Sequence, residues 1–208
     1  MSRKQPINIL VTAFEPFDGE TLNPSAGILE SLPDTIDGHR IRKLLLPVEF
    51  AKSRELAVAA YDALSPDAVI MLGQAGGRSA ITPETTARNE MTARIPDNAG
   101  YQPVHVPVVP GRPDVLYSTL PTEKIVQTIH ALGIPCESSD DAGTYVCNAF
   151  FYRMLNRVNR SIPAGFIHIP YIREQEHEDK PFLAFEAILK GITAAIRTVV
   201  PDSQENGL

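Results

Sequence analysis

The sequence predicts an α/β fold, a three-layer α/β/α sandwich around a largely parallel, mixed twisted sheet. Three observations carry that prediction. Short, mainly apolar runs with β-branched residues, INILVTA at Ile7 to Ala13 and AVIML at Ala68 to Leu72, have the pattern of strands buried on both faces. Segments with a 3.6-residue apolar period, such as Phe50 to Leu64 and Cys147 to Arg160, stand between such runs. Strand and helix alternate along the chain, and parallel strands need crossover helices.

The elements follow in order. After the first strand and the loop FEPFDGETL, Asn23-Pro24 supplies an N-cap and a proline for the first turn of a helix to Leu32. Arg40 to Val48 reads as the second strand, and Phe50 to Leu64 as a helix stopped by Pro66-Asp67. The third strand, Ala68 to Leu72, runs into GQAGG. Residues 79–111 mix β-type stretches with turns and are assigned no element. Pro121 to Leu132 predicts a helix closed by Gly133, and Ile134 to Ser138 a short strand. Cys147 to Arg160 is the strongest helix, Gly165 to Ile172 an apolar strand, and Phe182 to Val199 a closing helix.

A length of 208 residues suits one domain, set at residues 1–200, with the polar, aperiodic residues 201–208 expected to be a disordered tail. The 18 prolines are spread through the connections rather than gathered in a linker. A net charge of −6 has the wrong sign for holding nucleic acid by its phosphates. Two cysteines cannot build a disulfide framework. The opening MSRKQPINILVTAF lacks a signal-peptide core, and no stretch reaches the ~18 apolar residues of a membrane span. Together these predict a soluble cytoplasmic protein with reduced thiols and no membrane partner.

Candidate chemistry gathers at three residues. Cys147, in AGTYVCNAFFYRML, falls where a turn enters the strongest helix, and the positive end of a helix favours thiolate over thiol. The same place also suits a small apolar residue between helix and sheet. His168, in GFIHIPYI, shares a strand face with Phe166 and lies near the carboxyl end of its strand, where ligands gather in open α/β sheets. A core histidine bonded to backbone would look the same. Glu84, following the third strand and the glycine loop, is the best orienting acid. Arg94 and Asp97 make a further charged pair in a tight turn. GQAGG lacks both GxGxxG spacing and a P-loop lysine, and REQEHED has no metal-ligand spacing, so neither a phosphate cradle nor a metal site is expected. Cys136 reads as a structural thiol.

The segments VTAFEPFDGETLNPS, LPVEF, PDAVIMLGQAGGRSAITPE, ARIPDNAGYQP, AGTYVCNAFFYRML and GFIHIPYIREQ together resemble the pyroglutamyl peptidase I family of cysteine peptidases, in that family's order. The resemblance implies a catalytic triad of Cys147, His168 and Glu84, and an active-site arginine at Arg94. It also implies a lactam pocket formed by Phe14, Phe17, Gln74 and Tyr145. It further implies hydrolysis of N-terminal pyroglutamyl peptides without a cofactor or metal, and a homotetramer. One departure stands out: where the family continues its glutamate with Arg-Val-Ala, this chain has Thr85-Thr86-Ala87. Two alternatives share the scaffold. One is a nucleoside phosphorylase, which would need an arginine-lined anion site for which Arg78 is the candidate; the other is an inactive binding homologue.

Overall fold

The structure is a computed structural model describing residues 6–175, 177 and 179–199; the predicted tail at 201–208 lies outside the described residues. The elements are β1 (Asn8–Phe14), α1 (Pro24–Ser31), β2 (Thr35–Ile36), β3 (His39–Leu46), α2 (Lys52–Leu64), β4 (Ala68–Gln74), β5 (Thr82–Pro83) and β6 (Thr86–Arg88). They continue with β7 (Val115–Tyr117), α3 (Thr122–His130), α4 (Val146–Val158), β8 (Ala164–Ile169), β9 (Tyr171–Ile172), a 3₁₀ turn at Arg173–Gln175, β10 (Phe182–Leu183) and α5 (Phe185–Val199).

The main sheet runs β2-β3-β1-β4-β8-β5, parallel through its centre and closed at both edges by short antiparallel strands. Period-2 alternation then sorts the side chains. Ile9, Val11, Ile70, Leu72, Ile167 and Ile169 face a core with Ile28 of α1, Ile125 of α3 and Ile188 of α5. Leu10, Phe14, Met71 and Phe166 face the other core with Ala57 of α2 and Phe150 and Phe151 of α4. The predicted three layers are present.

Local chemistry sets the boundaries. Asn23 accepts a hydrogen bond from the Ser25 amide at 3.0 Å and starts α1. Left-handed Ser65 and Asn159 end α2 and α4. Asp37 and Gly38, both at positive φ, form the two-residue turn between β2 and β3, an Asp-Gly hairpin signal that the sequence reading passed over.

Four expectations change. The strand expected over Gly165 to Ile172 ends at Ile169, before Pro170, and Tyr171–Ile172 forms β9 of a separate two-stranded sheet. The stretch 134–138 makes no strand, only single bridges such as Ile81 to Cys136. The helix expected from Phe50 begins at Lys52, and the Asp97 carboxylate accepts from the Phe50 amide at 2.9 Å just before it, satisfying a donor that has no partner within the helix. The closing helix starts at Phe185, because Phe182 and Leu183 pair with Tyr171 and Ile172 instead.

The chain leaves β1 towards β3 and then crosses back to β4 on the other side. That makes the carboxyl ends of β1 and β4, at Phe14 and Gln74, the topological switch point where such sheets bind ligands.

Candidate active site

Cys147 lies in the first turn of α4, after an N-cap, Tyr145, that offers no side-chain acceptor. The opening amides of the helix are therefore free to meet negative charge. Asn148 fixes this helix start: its Nδ2 donates to the carbonyls of Arg88 and Glu90, both at 2.9 Å, and its Oδ1 accepts from the Arg88 amide at 2.8 Å. The Cys147 Sγ rests against the sheet at Gly73, 3.0 Å from where a Cβ on that glycine would stand.

Gly73 is the register partner of His168 on the neighbouring strand. His168 shares the α4-facing side of β8 with Phe166, their rings 4.6 Å apart, so thiol and imidazole occupy one face of adjacent strands. Glu84 follows the edge strand β5; its amide donates to the Phe166 carbonyl at 2.8 Å and its side chain is fully buried. His168 Nδ1 meets Glu84 Oε1 at 2.6 Å. A carboxylate only accepts, so Nδ1 carries the proton and Nε2 is left as the basic nitrogen.

Glu84 Oε1 also accepts from Arg78 Nη1 at 2.6 Å, and Arg78 Nη2 donates to the Asp141 carbonyl at 2.7 Å. Sequence reasoning missed this guanidinium as part of the site. Its place at the end of GQAGGR, immediately after the loop below β4, was the available signal.

Burial dominates the electrostatics. It disfavours the charged Glu84, but the hydrogen bond and charge of His168, with Ser139 and Arg78 adding to them, still hold the carboxyl below its ordinary value. Burial pushes His168 down, outweighing the Glu84 hydrogen bond and charge that pull it up. Burial, followed by the Glu84 charge, pushes the Cys147 thiol up to about 12, against the opposing effects of Arg78 and the residue's own amide. Both shifts, thiol up and imidazole down, favour the neutral pair over the thiolate that the helix start by itself would favour.

The other sequence-predicted residues surround this centre. Phe14 is only 2% exposed, packed edge-on to Phe150 and stacked near Phe166. Phe17 is half-buried with its ring 6.2 Å from that of Tyr145, whose hydroxyl donates to the Pro96 carbonyl at 3.0 Å. The Gln74 side chain turns away from the thiol: its Oε1 accepts from Gln175 Nε2 at 2.8 Å, leaving the backbone of Gln74 at the switch point. Arg94 is exposed, and among the described residues its guanidinium has no hydrogen-bond or ion-pair partner. Asp97 is structural, accepting the amides of Phe50, Ala99 and Tyr101. Among the described residues no His, Cys, Asp and Glu group is arranged to hold a metal ion, and no helix is long and apolar enough to cross a membrane.

The glycine loop serves packing rather than phosphate. A Cβ on Gly76 would collide with the ring and hydroxyl of Tyr171. At Gly73 a Cβ would come within 2.6 Å of Phe166 Cζ as well as 3.0 Å of Cys147 Sγ. Because neither a packed ring nor the helix start can give way, Gly73→Ala is expected to lower peptidase kcat at least about 10²-fold, the scale of ångström misplacement at a reacting centre. Steady-state kinetics with a check of folded state measures this.

The two thiols also predict alkaline lability. Burial, with the Glu137 charge, pushes Cys136 up to about 12 as well. Both thiols keep their protons in the fold above pH ~9, while the unfolded chain releases them, so stability falls as pH rises. The slope is up to about 1.4 kcal/mol per pH unit for each thiol. Urea titrations at pH 8 to 10 should show it, and Cys136→Ala should halve the slope.

Fold and site are those of a cysteine-type peptidase built on an α/β sandwich. The chain belongs to the pyroglutamyl peptidase family, whose model matches residues 7–202. It is 44% identical over 199 residues to pyrrolidone-carboxylate peptidase 1 of Caldanaerobacter subterraneus subsp. tengcongensis, covering 93% of this chain and 98% of that one. It is 42% identical over 200 residues to a pyrrolidone-carboxylate peptidase of Streptococcus pyogenes, covering 93% of both. The crystal structure of pyroglutamyl peptidase I from Bacillus amyloliquefaciens superposes with a TM-score of 0.91 at 40% identity, over 94% of this chain and 95% of that one. Pyrrolidone carboxyl peptidase from Pyrococcus furiosus gives 0.89 at 37%, over 93% and 98%. These matches lend nothing to a nucleoside phosphorylase or an inactive homologue, and Arg78, the arginine offered for a phosphate, is already bound to Glu84 and Asp141.

Proposed function

We propose that this protein hydrolyses the bond following an N-terminal pyroglutamyl residue, with Cys147 as nucleophile, His168 as general base and acid, and Glu84 as the orienting carboxylate. The observation that carries the reading is the buried 2.6 Å Glu84–His168 pair on the same sheet face as the Cys147 thiol. Family membership supports the substrate.

The favoured neutral pair sets the order of events. His168 Nε2 takes the Cys147 proton as Sγ bonds to the pyroglutamyl carbonyl carbon. The oxyanion meets the uncapped amides at the start of α4. The C–N bond then breaks, His168 gives its proton to the leaving amine, and a thioester remains. Water, deprotonated by His168, attacks the thioester, releasing pyroglutamic acid and returning the proton to the thiol. Glu84 stabilises the imidazolium formed in each half.

The lactam is uncharged and has one N–H and one C=O. Phe17 and Tyr145, their rings 6.2 Å apart, form the apolar wall and the Gln74 backbone pairs with the lactam edge, while Phe14, packed on Phe150 and Phe166, belongs to the core behind them. An N-terminal proline would leave those groups unpaired, and such mismatches cost up to ~10⁴-fold in kcat/KM. Parallel assays of pyroglutamyl and prolyl arylamides test this. Equal rates, or no pyroglutamyl cleavage, overturn the reading.

Two finer features belong to the same proposal. A nucleophilic thiol works only while reduced, which suits the cytoplasm. A homotetramer would cover Tyr101 and Val104, apolar side chains 48% and 64% exposed; light scattering of the purified protein measures the assembly.

A further inference from the structure

We propose that Arg78 is a positioning residue for this hydrolysis, its guanidinium locking the Glu84–His168 pair and tying it to the loop that delivers Cys147. The inference rests on the function proposed above and adds a residue to its machinery.

Glu84 is fully buried, and one of its oxygens, Oε1, receives both the imidazole and the guanidinium. A buried carboxylate held only by the imidazole it must orient would turn with it. The planar fork of Arg78 supplies the fixed reference, because its second nitrogen is anchored on the Asp141 carbonyl. Asp141 belongs to the segment that leads through Gly143 and Thr144 into α4. That segment is pinned on both sides. Ser139 and Asp140 carbonyls accept from Thr85 and Thr86 at 2.7 and 2.6 Å, and the Thr144 hydroxyl donates to the Thr92 carbonyl at 2.8 Å. One side chain thus joins the acid–base half of the site to the nucleophile half. The Thr85-Thr86 departure from the family's usual sequence lies in this seam.

Position and charge act together. The charged or titratable groups facing His168 are Glu84 beyond β5, Arg78 from the glycine loop, Asp141 and, on α4, Cys147. The Arg78 cation disfavours the imidazolium and favours the thiolate, whereas Glu84 disfavours the thiolate and, with Asp141, favours the imidazolium. Removing the cation therefore moves the acid limb of activity, where His168 protonates, to higher pH and makes the thiol harder to ionise.

The test uses Arg78→Met and Arg78→Lys in a Cys136→Ala background, so that Cys147 alone reports alkylation. For Arg78→Met, kcat is expected to fall about tenfold or more, KM to stay within about threefold, and the acid limb of kcat/KM to rise by roughly half a pH unit. Iodoacetamide alkylation of Cys147 at pH 8 is expected to slow several-fold. Arg78→Lys is expected to restore the acid limb but not the full kcat, because an ammonium cannot span Glu84 and Asp141 as the fork does. A folded Arg78→Met with an unmoved acid limb and unchanged alkylation overturns the proposal. If that variant does not fold, the lysine variant decides: full wild-type kcat removes the fork, and a displaced acid limb removes the charge role. Failure of the wild type itself to cleave a pyroglutamyl arylamide counts against the function rather than the clamp, which alkylation still reads.

Discussion

Cys147→Ser is expected to lower kcat/KM on a pyroglutamyl arylamide by about 10⁴-fold or more while leaving the thermal midpoint nearly unchanged. The stability half follows from geometry. Sγ sits at the start of α4 against Gly73, and an oxygen there is smaller, so no overpacking arises. The activity half follows from the acid–base pair. Burial holds His168 below its ordinary value of 6.5, so it is a weak base. It can take a proton from a thiol in concert with attack, but a hydroxyl is several units less acidic. Steady-state kinetics on the arylamide and thermal unfolding of the two proteins measure both. A serine variant retaining more than about a tenth of wild-type activity would remove Cys147 from the mechanism.

Glu84→Gln should cost both activity and stability. The amide oxygen can still accept from His168, but the charge that stabilises the imidazolium is gone and Arg78 is left beside a neutral group. Loss of the equivalent charge in a serine triad costs about 10⁴ in kcat. Arg78 is partly exposed and can be solvated, so losing its charge-assisted hydrogen bond to Glu84 costs about 1.5–3 kcal/mol. The pH dependence separates the two effects. Glu84 has a folded value below its ordinary 4.5, so its charge contributes stability above pH ~4.5 that disappears as pH falls through the folded value. His168 is also lowered, so the unfolded chain binds its proton first and stability begins to fall below pH ~6.5. Denaturant titrations from pH 8 to about 2 should show the wild type losing stability across both windows, and Glu84→Gln losing less over the lower one. Identical acid profiles would mean that Glu84 is not ionised in the fold.

Much of this molecule is legible in its sequence because local physics fixed it. Ile7 to Ala13 and Ala68 to Leu72 are apolar on both faces and can only be central strands. Asn23-Pro24 begins a helix wherever the chain goes next. Cys147 before a helical apolar period, His168 inside an apolar run and Glu84 after the glycine loop were each candidates in the sequence pattern, and only the family resemblance joined them into one site. The segments 79–111 and 134–138 were not legible, because their few-residue bridges depend on partners far along the chain, as Ile81 does on Cys136.

What the sequence by itself determined was therefore the layer order, the helix and strand cores and the family to which the chain belongs. The tertiary structure decided how those residues are charged and joined. Burial and the nearby Glu84 charge push the Cys147 thiol up, against the thiolate favoured by a helix start. Strand register set Gly73 opposite His168 and so beneath the thiol. Arg78 became a partner of Glu84 only when the loop after β4 folded under the edge strand, because an ion pair depends on distance in space and leaves no period in the chain.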